Sequence, residues 1–160
     1  MCDYSLMGVP NRLATEGEEL VTYKFSTGSI GLAPQTEVQT VMDVEAVKGR
    51  KFWSYFREIF SAPARNCITA VCIPQGARLL MKDVPEVRQR RLSVGSAEEV
   101  TFTQISAASN AFRDAIRFRD GRELLLQELP AGQRVRVLDL SSAEPREPEI
   151  AERSPYLVVS

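Results

Sequence analysis

The feature that most restricts the fold is Arg119-Asp-Gly-Arg122, which stands between two apolar-patterned runs, Phe112 to Phe118 and Glu123 to Leu129. Asp-Gly accepts the positive φ that a tight turn demands, so the two runs are predicted to form an antiparallel hairpin. A two-residue loop would set Phe118 opposite Glu123. A three-residue loop would instead pair Phe118 with Leu124 and Ile116 with Leu126; it keeps apolar groups together and is the register preferred here. Val100 to Ile105 and Arg134 to Leu140 alternate apolar and polar residues in the same way, and Pro130-Ala-Gly132 turns the chain into the latter.

The first half is more mixed. Residues 1–19 are rich in turn signals, then Leu20 to Ser26 alternates, with Val21, Tyr23 and Phe25 on one face and Thr22 and Lys24 on the other. Thr27-Gly-Ser29 turns, and Ile30 to Gln35 reads as irregular. From Thr36 two signals oppose each other. Thr36 with Gln39 fits a capping box and Gly49 a stop, yet Val38, Val41, Val44 and Val47 are β-branched; helix and strand stay open. Arg50 to Phe60 carries Phe52, Phe56, Ile59 and Phe60 on one helical stripe with Trp53 beside it, and Pro63 ends it. Cys67 to Ile73 is nearly all apolar, as in a strand covered on both faces. Ala77 to Asp83 follows as a strand, and Pro85 and Gly95 bracket a short helix. The expected fold class is mainly β (α+β): a compact antiparallel sheet or small β-barrel with one or two covering helices. Residues 1–140 form a single globular domain, 141–154 a charged connector with Pro145 and Pro148, and 155–160 a C-terminal segment whose Tyr156-Leu-Val-Val159 should dock on a sheet edge.

Composition mainly excludes. The 160 residues fit one domain, and 44% apolar with 26% charged residues suffices for a core. There is no histidine, which removes Ser-His-Asp and Cys-His catalysis and every metal site that needs imidazole. Three cysteines, Cys2, Cys67 and Cys72, cannot close a four-cysteine zinc site, so no metal and no cofactor are expected. They are also too few for a disulfide framework. Twenty basic residues against twenty-one acidic ones give a net charge of −1, without the basic excess that nucleic-acid binding draws on. No run is long enough to span a bilayer, the N-terminus does not read as a secretory signal, and a cytoplasmic location is expected.

Three stretches carry a resemblance: Cys2-Asp-Tyr-Ser-Leu with Pro10-Asn-Arg-Leu-Ala14, Cys72-Ile-Pro-Gln-Gly-Ala-Arg-Leu-Leu80, and Gly132-Gln-Arg-Val-Arg-Val-Leu138. Together they resemble a family of small uncharacterised bacterial proteins with a Cys-Asp-Tyr-Ser-Leu N-terminus. The resemblance implies a bacterial cytoplasmic protein and brings no substrate, cofactor or catalytic residue.

Two groups of residues remain as candidates. If Met1 were removed, Cys2 would become a terminal nucleophile whose own α-amino group could serve as base. Asp3 beside it opposes thiolate formation, and the alternative is a small residue tucked under the sheet. Cys67 and Cys72, an odd five apart, fall on opposite strand faces, where they cannot bridge and act as buried hydrophobes. Arg113, Arg117 and Arg119 share one strand face, Arg134 and Arg136 another, and Arg88, Arg90 and Arg91 crowd the short helix. Converging, these guanidinium groups would bind phosphate or carboxylate. Paired with Glu123, Glu128 and Asp139, they would form an ordinary charged face. Trp53 and its aromatic neighbours read as core. The sequence therefore expects a non-enzymatic binding or interaction domain for a small anionic ligand or a protein partner, without membrane or nucleic acid and with self-association left open. A hydrolase or amidotransferase using Cys2 and a structural subunit are the alternatives.

Overall fold

Segments that alternate in sequence become strands because alternation lets one face bury while the backbone groups pair sideways. A computed structural model describes residues 6–48, 68–105 and 112–141, with the side chains of residues 44–48 left out. In chain order the elements are β1 (Asn11–Leu13), β2 (Glu19–Lys24), β3 (Ile30–Pro34), α1 (Gln35–Lys48), β4 (Ala70–Cys72) and β5 (Arg78–Lys82). Then follow α2 (Glu86–Leu92), β6 (Glu98–Gln104), β7 (Asp114–Arg117), β8 (Glu123–Leu125), a 3₁₀ turn at Leu126–Glu128 and β9 (Arg134–Asp139). Seven strands form one antiparallel sheet in the order β3-β2-β9-β5-β6-β7-β8, while β1 and β4 pair in parallel.

The fold is mainly β, and of the two architectures expected the open sheet is the one found: it does not close into a barrel. Its two edges nevertheless meet. Past β8 the chain leaves the ladder at the 3₁₀ turn, and Gln127 there reaches the far edge strand. Its Oε1 accepts the Ile30 N–H at 2.9 Å, and its Nε2 donates to the Ile30 carbonyl at 2.7 Å. One side chain therefore satisfies two groups of edge strand β3 that a closing strand would have paired.

The curl encloses the main core. Leu20, Leu79, Met81, Phe102, Ile116 and Val137 are at most 2% exposed and pack with Leu32, Val100, Val135, Leu126 and Leu129. Removing a side chain of this size from water stabilises by roughly 1.5–3 kcal/mol. A second core lies on the other side of the β2–β3 hairpin. Val21, Phe25 and Ala33 pack there with Val38 of α1, Leu6, Ile68 and Ala70. The hairpin is thus buried on both faces. Thr22 points away from the second core and is 1% exposed. Its hydroxyl donates to the Pro130 carbonyl at 2.5 Å and accepts the Gln133 N–H at 2.9 Å, so the polar group costs little to bury and ties the turn before β9 to the hairpin.

Several expectations change. Residues 30–34 form a strand, not an irregular stretch. Gly31 is there because a Cβ would stand 2.7 Å from Leu6 Cδ1, and Pro34, at the end of an edge strand, can lack an N–H. The Asp120-Gly121 hairpin takes neither proposed register: Ile116 faces Leu124 and Arg117 faces Glu123. Phe118 N–H donates to the Arg122 carbonyl at 2.8 Å, which leaves residues 119–121 as the loop, with Gly121 at φ 85°. The open choice at Thr36 resolves as helix, starting one residue earlier, and the Thr36 capping box is not its start. Glu37 in the first turn instead accepts the Thr69 N–H at 2.9 Å. Helix α2 ends at Ser93, which takes the left-handed conformation at φ 51° that Gly95 was expected to supply. The aromatic helix around Trp53 and the segments 142–154 and 155–160 lie outside the described residues.

Candidate functional site

Register sets which charges meet on the outer wall. In one row β8 to β9 align Glu123, Arg117, Thr101, Arg78 and Asp139. In the next, β6 to β2 align Glu99, Leu80, Arg136 and Glu19. These are the outward positions, because Leu79, Val100, Ile116 and Val137 of the same strands point into the core.

Acids and bases share that wall closely. Arg117 meets Glu123 at 2.8 Å and donates to the Thr103 hydroxyl at 3.2 Å. Glu99 accepts Arg78 at 2.5 Å and Arg119 at 3.2 Å, and Arg78 also faces Asp139 at 3.7 Å. Glu19 is held by Lys82 at 2.7 Å, with Arg136 at 3.7 Å. Arg134 pairs with Asp83 at 2.9 Å. Arg113 is half-buried just before β7 and is engaged as well. The structure thus divides the five sequence-nominated arginines between β7 with its flanks and β9, with β5 and β6 lying between them, and places a carboxylate against Arg117, Arg119, Arg134 and Arg136.

The same contacts set the acidities. The hydrogen bond from Arg78 holds the Glu99 carboxyl below its ordinary range, and Glu99 in turn holds the Arg78 guanidinium more firmly charged. The Ser141 hydroxyl and N–H lower Asp139. At the turn after β1, Arg12 lowers Glu18, helped by the Thr15 N–H and opposed by burial. The Arg122 N–H lowers Asp120.

Of the acids named from sequence, Glu123 does pair with Arg117 across strands, and Asp139 pairs with Arg78. Glu128 does something else: its carboxylate accepts the Leu125 N–H at 3.1 Å. The partners Glu19, Asp83 and Glu99 were not foreseen. Glu99 and Glu19 could have been found by alternation, since each sits at an outward position of a strand.

Cys72 departs from expectation. It is 4% exposed, as a buried hydrophobe should be, but it is disulfide-bonded, to a partner outside the described residues. Cys2 and Cys67 lie outside the described residues too. Among the described residues no cluster of acids and cysteines is arranged to hold a metal ion, and no helix is long and apolar enough to cross a membrane.

Helix α2 differs from the wall. Its Arg88 donates to the Glu128 carbonyl at 2.9 Å, and Arg122, 5.6 Å from the centre of the Phe118 ring, donates to the Leu92 carbonyl at its C-terminus. Arg90 and Arg91 are exposed and make no ion pair among the described residues. Compared with known proteins, the chain matches no family model, no curated protein and no solved structure.

Proposed function

We propose that this chain is a non-enzymatic interaction domain that binds a protein partner on its outer surface. The filled interior carries the reading. Leu79, Met81, Phe102, Ile116 and Val137 occupy the inside of the curl at 2% exposure or less, so the sheet is a packed core and not a container for a small ligand. Binding then falls to the outside. There, four of the five nominated arginines already hold carboxylates, and a free phosphate would have to displace them. A protein surface carrying both signs of charge can interleave with such a wall and gains orientation from the pattern.

Titration with inorganic pyrophosphate, followed by thermal melting, tests the choice. The reading expects no saturable rise in melting temperature. A saturable rise that disappears in the Arg117→Gln/Arg119→Gln variant would overturn it and restore the small-anion reading.

A further inference from the structure

Helix α2 is an unusual element because it is held firmly yet sends only the half-buried Leu92 toward the core. None of its seven residues is buried, and a helix this short does not persist in water by itself. The surrounding frame holds it instead. The helix's own first turn closes on the N-cap Pro85 carbonyl, which accepts the Arg88 and Gln89 N–H groups at 2.8 and 2.9 Å, and the remaining bonds come from outside the helix. Gln89 Nε2 donates to the Val84 carbonyl at 2.7 Å. Arg88 is pinned to the Glu128 carbonyl and the C-terminal Leu92 carbonyl receives Arg122. Half-buried Leu92 and the following Val94 lean on the main core.

What this frame displays is one outward face. Val87 is 72% exposed, and Arg90 and Arg91 lie three and four residues further on, which places them beside it on the helix. Glu86, one turn before Arg90, does not pair with it among the described residues. The contrast with the wall is chemical: Arg117, Arg119, Arg134 and Arg136 meet carboxylates supplied by this chain, whereas Arg90 and Arg91 meet none among the described residues.

Resting on the surface-binding reading above, we infer that Val87, Arg90 and Arg91 form the docking face of α2 for an acidic segment of a partner protein. Charge complementarity selects the occupant. Two adjacent guanidinium groups with no carboxylate against them among the described residues take carboxylates through paired hydrogen bonds, and the exposed valine one turn before them offers a small apolar seat of the kind found at the centre of interfaces. Because the helix is already held, docking orders little, and that favours affinity.

The test uses the full chain and a hexaglutamate peptide, with binding read by calorimetry and by the arginine side-chain NMR signals. The unmodified protein should bind saturably and more weakly as salt rises. Arg90→Glu/Arg91→Glu should weaken binding by about tenfold or more, while Arg134→Gln/Arg136→Gln should leave it nearly unchanged. Thermal melting of both variants checks that they fold, and the charge-conserving Arg90→Lys/Arg91→Lys variant should recover part of the affinity. Equal losses for the two arginine pairs would overturn the assignment to α2 while leaving surface binding in place. Pyrophosphate binding as tightly as the peptide at Arg90 and Arg91 would replace the acidic segment with a small anion. Absence of saturable binding by the unmodified protein would overturn the inference outright.

Discussion

The β5–β9 pair and the β2–β3 hairpin belong to the same sheet but bury themselves differently. In β5 and β9, Leu79, Met81, Val135 and Val137 face the core, and Arg78, Lys82, Arg134 and Arg136 face water. In the hairpin, Leu20 and Leu32 face one core while Val21 and Ala33 face another, closed by Val38 of α1. A strand with one wet face shows its orientation as alternation. A strand with two covered faces shows only composition, and its polar members must find partners inside, as Thr22 does with Pro130 and Gln133.

This comparison can be broken at the wall first. Phe102 is 2% exposed in the middle of the main core. Phe102→Ala should lower unfolding free energy by about 3–5 kcal/mol, measured by urea denaturation, and a loss below about 1 kcal/mol would mean that the curl is not packed as described.

The Cys72 disulfide should come next in size. Of three cysteines, the two in the bond leave one, so titration of the unreduced native protein should find a single free thiol. Reduction should cost about 2–4 kcal/mol. Three free thiols with unchanged stability would remove the bond from the account.

Thr22→Val probes the hairpin. The shape is kept, but the Pro130 carbonyl loses its donor and the Gln133 N–H its acceptor. The expected cost is about 1–3 kcal/mol. A neutral result would mean that Thr22 faces water, as plain alternation suggests.

How much of this was legible follows from the same difference. Strands β6 and β9 were read from their alternation, because one face is wet, and β5 as the strand returning after the preceding turn. The runs around β2 were read with the correct faces, but the burial of Thr22 was not, since nothing local reveals that the distant turn at Pro130 and Gln133 covers that side of the strand. Strand β3 was missed because Gly31 and Pro34 are poor strand residues in general and acceptable only here, under Leu6 and at an edge. The parallel strand β1 was hidden among turn signals, its partner β4 being Ala70–Cys72, far along the chain. The hairpin register was misjudged by placing Leu126 in the ladder, when that leucine instead turns into the core at the 3₁₀ turn. For the candidate surface, sequence supplied the arginines and the idea of cross-strand pairing, but which carboxylate meets which arginine depends on strand order. The order β2-β9-β5-β6 joins segments that the chain visits out of sequence.

The smallest effect belongs to the wall's charges. Because the folded state lowers the Glu99 carboxyl, chiefly through Arg78, the folded protein binds that proton more weakly than the unfolded one. The contribution is therefore fully present above the ordinary carboxylate range and is lost as pH falls through the lowered value. Urea midpoints should fall between about pH 7 and about pH 3, and Arg78→Gln should make the fall shallower. An unaltered slope would show the pair to be without energetic weight, as many exposed pairs are.

The β2–β3 hairpin is as fully interior as the wall's inner face, sealed by α1 on one side and by Gln127 at its edge. Native-state hydrogen exchange measures this directly. The amides of Thr22 and Ala33 should exchange only through global unfolding, with the same opening free energy as Leu79 and Val137. Exchange of the hairpin through a local opening, at a clearly lower free energy than the β5–β9 pair, would contradict it.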